Sequence, residues 1–186
     1  MLEVEVRYRT DNRDAVIDRL QEWGATLAAD RIDVDRYFNP PDRELKDSDE
    51  AFRLRRIGDA NFLTHKGPRI DSETKARAEI EVPLGDGDEV AADMEQMLRS
   101  LQFRPIVVVR KHRLIYRLER NGFPVEVCFD DVDLVGPFVE LEILAPAEKY
   151  GAAKTILLQT AADLGLTDKE TRSYLGMVLE AQKYAQ

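Results

Sequence analysis

Apolar and charged residues alternate strictly from Glu3 to Arg7, which read Glu-Val-Glu-Val-Arg. A period of two predicts a strand with one apolar and one charged face. Asp11 is placed to cap a helix from Asp11 to Trp23 whose Val16, Leu20 and Trp23 share one face, with Gly24 ending it. A strand region follows in LAADRIDVDRYF, up to Phe38. Asn39-Pro40-Pro41 breaks it, and DRELKDSDE reads as a solvated loop. EAFRLRRI, ANFLTHKG and TKARAEIEVPL read as three further strands, the first two joined by a Gly58-Asp59 turn. Val90, Met94, Met97, Leu98 and Leu101 fall at helical spacing within Asp88 to Leu101. RPIVVVRKHRLIYRLE and FPVEVCFDDV are strands joined by Asn121-Gly122, a strong hairpin signal, and GPFVELEIL is the last strand. Helices are predicted over Ala147 to Leu164 and Lys169 to Tyr184. About eight strands with interspersed helices predict an antiparallel α+β fold, one domain over residues 1–186.

The charged faces of these strands put carboxylate pairs on some strands and cation pairs on others. Glu3 and Glu5 are two apart, as are Glu140 and Glu142, while Arg53 pairs with Arg55 and Lys111 with Arg113. Arg77, Glu79 and Glu81 keep the same period, Glu126 and Asp130 share a face with Cys128 between them, and Lys66 adds a cation. A charged face is ordinary for one half-buried strand. Six or more such strands, with carboxylates on some and cations on others, predict a barrel that packs its apolar face outward on helices and keeps its charges inside. Buried charge is costly unless it is paired or holds ions. Arginine and lysine rows suit phosphate oxygens, and carboxylate rows suit Mg²⁺ or Mn²⁺. Together they describe a metal-bound polyphosphate.

The net charge of -9 argues against nonspecific nucleic-acid binding. One cysteine and two histidines exclude a disulfide framework and a cysteine or His-rich metal cluster. With no apolar leader-like run and no 18-residue apolar stretch, the expectation is a cytoplasmic protein without a membrane partner. Arg56 and Arg110 have the opposite parity to the lining set and should face outward, as should His65 and His112. Cys128 reads as a small packed residue, and Tyr174 packs the last helix or closes the mouth of the barrel.

These stretches, in this order, resemble the CYTH superfamily of triphosphate tunnel metalloenzymes. That family opens with Glu-x-Glu-x-Lys, and this chain has Glu3-Val4-Glu5-Val6-Arg7. The similarity continues through DVDRYFNPPDREL, DEAFRLRRI, LTHKGPRID, TKARAEIEV, VVRKHRLIYRL and GPFVELEIL to TRSYLGMVLE, most like the class IV adenylate cyclase branch. The resemblance implies a closed eight-stranded antiparallel barrel with surrounding helices, open as a tunnel for a nucleotide triphosphate and metal, and a homodimer. It implies metal ligation by Glu3, Glu5, Glu140 and Asp130, with Glu79, Glu81, Glu126 and Glu142 as further inward carboxylates. Arg53, Arg55, Lys66, Arg77, Lys111 and Arg113 match the basic lining, and Asp130, Lys111 and Arg7 are the expected catalytic set. Arg7 departs from the family lysine and cannot easily act as a titrating base. The expected reaction is conversion of ATP to cyclic AMP and pyrophosphate with Mg²⁺ or Mn²⁺. The alternatives are hydrolysis of thiamine triphosphate, inorganic triphosphate or a nucleoside triphosphate, and a noncatalytic polyphosphate or nucleotide binder.

Overall fold

A computed structural model describes residues 1–184, so the last two positions of the expected 1–186 domain lie outside the described residues. Eight strands run as β1 (Leu2–Arg9), β2 (Thr26–Asn39), β3 (Ala51–Ile57), β4 (Ala60–Lys66), β5 (Arg77–Asp86), β6 (Arg104–Arg120), β7 (Phe123–Val132) and β8 (Gly136–Ala145). Every pairing is antiparallel, in the order β5-β4-β3-β2-β6-β7-β8-β1. Leu2 opposite Ala78 and Glu3 opposite Arg77 join β1 to β5 and close the barrel. The β6–β7 hairpin turns at Asn121 and Gly122, both with positive φ (50° and 79°), as a primed turn requires.

The period of two sorts each strand between two solvents. Val4, Val6, Val125, Val127, Phe129, Val139, Leu141 and Ile143 face outward and are buried beneath α1 (Arg13–Glu22) and α3 (Tyr150–Asp163), whose Val16, Leu20, Ala153, Leu157 and Ala161 meet them. α2 (Asp88–Ser100) covers the outer faces of β2 and β3, with Leu98 against Phe38 and Leu54. The fourth helix, α4 (Tyr174–Tyr184), plugs one end of the barrel, where Tyr174, Met177 and Val178 pack on Tyr37, Val107, Val109, Val132 and Phe138. The opposite parity, Glu3, Glu5 and Arg7 included, points inward.

Local departures from the expected elements have local causes. The α1 cap is Asn12, not Asp11: its side chain accepts the Ala15 N–H at 3.3 Å. On α2 only Leu98 is fully buried, and Met97 (53% exposed) and Leu101 (59%) lie off the covered face. The 42–50 loop is not wholly solvated, because a 3₁₀ turn over Leu45–Ser48 buries Leu45. The last helix starts at Tyr174 and not at Lys169. Ser173 caps it by accepting the Gly176 N–H at 3.0 Å, and Asp168–Lys169 forms a two-residue strand, β9, on Tyr8 and Arg9.

Candidate active site

The barrel encloses a cavity of about 540 Å³. An eight-stranded barrel is just wide enough for its inward side chains to meet across it. Those side chains form three ionic clusters. In the first, Glu140 accepts from Arg7 Nε (2.9 Å) and Nη2 (2.5 Å) and from Arg113 Nη2 (2.8 Å). Arg7 Nη2 also donates to Glu5 (2.9 Å), its Nη1 to the Arg172 carbonyl (2.9 Å), and its guanidinium lies 3.5 Å from the Tyr174 ring centroid. Arg113 grips Asp130 with both Nε (2.6 Å) and Nη2 (2.5 Å), and the Tyr174 hydroxyl donates to the same carboxylate at 2.7 Å. In the second, Arg55 forks onto Asp35 (2.7 and 2.8 Å) and Arg53 reaches Asp35 and the Tyr37 hydroxyl, both at 3.3 Å. In the third, Lys66 donates to both oxygens of Glu3 (2.8 and 2.5 Å) and lies 2.7 Å from Glu79.

Not every cation is spent on a carboxylate. Lys111 is buried with its ammonium 3.7 Å from Asp33 and 3.6 Å from Asp130, beyond hydrogen-bond reach. Burial, then the neighbouring Arg113, pushes its pKa down. Arg77 has long contacts to the carbonyls of Lys75, Asp49 and Gly67 at 3.4 Å. The Arg53 Nε is buried without a partner among the described residues. Donors held in a cavity without acceptors are what a polyanion would fill.

The structure thus brings Glu3, Glu5, Arg7, Arg53, Arg55, Lys66, Arg77, Glu79, Glu81, Lys111, Arg113, Glu126, Glu140 and Glu142 to one cavity. Their depth differs. Glu81 is exposed and accepts the Thr64 hydroxyl, and Glu126 sits at the rim paired with Arg117. Asp130 is fully buried behind Arg113 and does not line the cavity. Arg110 and His112 face outward, His112 onto Asp30, and His65 meets Glu50. Arg56 lies half-buried on the outer side of β3. Cys128 is buried and its thiol pKa is pushed up, first by that burial.

Sequence reading missed Arg31, Asp33, Asp35, Tyr37 and Lys75. The first four share the inward face of β2, and their period of two in RIDVDRY was legible. Asp33 is fully buried; Arg31 Nε lies 2.9 Å from it but at an angle that makes no hydrogen bond, so its carboxylate rests on charge alone. Lys75 has the parity of Arg77 but precedes the strand. Its ammonium meets Glu5 at 3.1 Å, and burial pushes its pKa down to about 8 against the pull of Glu5.

The carboxylates also have an imbalance. Glu142 stands opposite Glu5 across β1–β8 and opposite Glu126 across β7–β8. Like charges in register repel. Among the described residues Glu142 makes no ion pair, and burial together with Glu3 raises its pKa well above the carboxylate range. Burial likewise raises Glu3, helped by Glu79. At Glu140 burial pushes upward too, but Arg7, Arg113 and Lys111 outweigh it and hold the group well below its usual range. An oxygen-only set with an unneutralised member fits a hard divalent cation. No three such groups converge into a finished cage among the described residues. This suits Mg²⁺ or Mn²⁺, ions of the type that take one or two carboxylates and complete their shells with water and substrate phosphates.

Comparison with known proteins places this geometry. Residues 1–174 match the CYTH domain family. The chain is 37% identical over 142 residues to “Putative adenylate cyclase MJ0240” of Methanocaldococcus jannaschii, covering 76% of this chain and 77% of the relative. It is 30% identical over 178 residues to “Adenylate cyclase CyaB” of Aeromonas hydrophila, covering 92% and 86%. The solved structure of the PH1819 protein from Pyrococcus horikoshii OT3 shares the fold at a TM-score of 0.83 and 31% identity, over 96% of this chain and 98% of that one. A closed eight-stranded barrel with a charged interior and these relatives lead to one statement: the chain belongs to the CYTH domain family, in the branch of the class IV adenylate cyclases.

Proposed function

We propose that this protein is an adenylate cyclase that forms cyclic AMP and pyrophosphate from ATP inside the barrel. The observation that carries the reading is a set of buried cations facing one cavity, in which the Lys111 ammonium and the Arg53 Nε have no hydrogen-bond partner among the described residues and Arg77 has only long carbonyl contacts, beside Glu142, a carboxylate without an ion pair among those residues. Phosphate binding alone needs only cations. The added carboxylates are what a divalent cation requires, and phosphoryl transfer is mostly positioning and charge neutralisation.

In this reading Lys111, Arg113, Arg53, Arg55 and Arg77 hold the triphosphate along the cavity. Asp130 does not act as a free base. Gripped by Arg113 and Tyr174, it fixes the guanidinium that faces the phosphates. Arg7, locked on Glu140 and Glu5, serves as a fixed charge and orients both carboxylates. Glu142, with either Glu5 or Glu140 beside it, would hold Mg²⁺ or Mn²⁺, which supplies neutralisation of phosphate charge when bound. The ribose 3′-hydroxyl gives its proton to solvent water as its oxygen forms a bond to the α-phosphorus, the bond to the bridging oxygen breaks, and pyrophosphate leaves with its charge spread over the cation row. A homodimer in the cytoplasm is part of the proposal, and light scattering reads the dimer.

The discriminating substrate is 3′-deoxy-ATP. A cyclase binds it and gives no product, since the nucleophile is missing. Release of orthophosphate from it, at the rate seen with ATP, would move the protein to the triphosphatases.

A further inference from the structure

Lys75 is buried in the cavity wall yet lies on no barrel strand. It lies next to the end of the 67–76 connection between β4 and β5, which is fastened from outside. Asp71 accepts the Thr74 N–H at 2.7 Å and the Thr74 hydroxyl at 3.0 Å. Lys154 of α3 donates to Asp71 at 2.9 Å and pairs with Glu73 at 2.6 Å, and Lys169 donates to the Glu73 carbonyl. The Lys75 N–H then joins the Glu5 carbonyl at 2.8 Å, which aims the side chain inward.

An ammonium carries three donors. Among the described residues Lys75 has one acceptor, Glu5 Oε1 at 3.1 Å, and that oxygen already takes Arg7 Nη2 at 2.9 Å. Lys66 differs, because Glu3 and Glu79 surround its ammonium. Lys75 therefore offers unfilled donors to the cavity at the Glu5–Arg7 end, from a side chain only 8% exposed. We propose that Lys75 is a further phosphate-binding residue of this site, carried by the 67–76 connection, whose ammonium takes phosphoryl oxygens beside Glu5. The inference rests on the triphosphate reading of the cavity.

The test is calorimetric binding of inorganic tripolyphosphate in EDTA. Lys75→Met should weaken binding about 10- to 100-fold, with Lys75→Gln as the alternative if the methionine variant does not fold. Lys75→Cys should lose as much, and treatment with 2-bromoethylamine, which rebuilds an ammonium on the thiol, should restore most of it. The single native thiol, Cys128, is buried, so treated wild type is a clean control. Unchanged affinity in the methionine or glutamine variant, or no recovery on aminoethylation of a folded cysteine variant, would overturn the assignment while leaving the triphosphate reading intact. A wild type that binds no tripolyphosphate would overturn both.

Discussion

Glu140→Gln tests the buried ion-pair cluster at the Arg7 end of the cavity. Glu140 accepts three hydrogen bonds from Arg7 and Arg113 in a buried setting. Glutamine keeps the shape and one acceptor oxygen, but it removes the charge and turns an amide donor toward a guanidinium. Breaking one partner of a buried ion pair costs about 3–5 kcal/mol, so about 3–4 kcal/mol is expected with one acceptor retained. A domain of ordinary stability, about 5–15 kcal/mol, survives that loss. With a urea slope of about 2 kcal/mol/M, the midpoint should fall by about 1.5–2 M. The pH dependence has a definite sign. The folded pKa of Glu140 lies well below its usual 4.5, so its pairing stabilises above that value and is lost as pH falls through the folded pKa. The gap between wild type and variant should therefore hold from pH 8 to about 4.5 and close only at lower pH. A gap below about 1 kcal/mol, or one already closed at pH 6, would refute the ion-pair account.

Glu142→Gln should act in the opposite direction. Its folded pKa is raised, so the folded state favours the protonated group and loses stability as pH rises above 4.5; in EDTA the amide should stabilise at pH 7.5, with the gain gone below about pH 4.5. Thermal unfolding at the two pH values reads this, and a destabilised variant at pH 7.5 would count against an unpaired Glu142. Lys111→Met removes an ammonium with no hydrogen bond, so urea unfolding should move by less than about 1 kcal/mol while tripolyphosphate binding weakens by about 1.5–3 kcal/mol. Equal affinity would place Lys111 outside the anion site. Tyr174→Phe deletes the hydroxyl donor to Asp130 and should cost about 2 kcal/mol in urea unfolding; no loss would mean that the 2.7 Å contact contributes nothing.

Much of this was legible because a strand's side chains alternate without exception over short runs. Glu3-Val4-Glu5-Val6-Arg7 carries its apolar residues onto α1 and α3 and its charges into the cavity, which is why two carboxylates and a guanidinium stand in a row. The same parity located Arg53, Arg55, Lys66, Arg77, Lys111, Arg113, Glu140 and Glu142. It was equally present in Arg31, Asp33, Asp35 and Tyr37, and went unread because this stretch carries charge on both parities, Asp30 and Arg36 standing opposite to the inward set, so its two faces separate less cleanly. Which carboxylate neutralises which cation was not legible, since that depends on the register between strands far apart in sequence, as with Arg7 and Glu140. Nor was the start of the last helix, which the Ser173 cap and the β9 pairing on Tyr8 and Arg9 decide. Lys75 sits on a connection whose course no period encodes.

The measurement closest to the central claim is product analysis of ATP incubated with the purified protein and Mg²⁺ or Mn²⁺, at low and high salt. Cyclic AMP and pyrophosphate in equal amounts are predicted, and the same incubation with thiamine triphosphate or inorganic triphosphate should yield no orthophosphate. Orthophosphate without cyclic AMP would contradict the account.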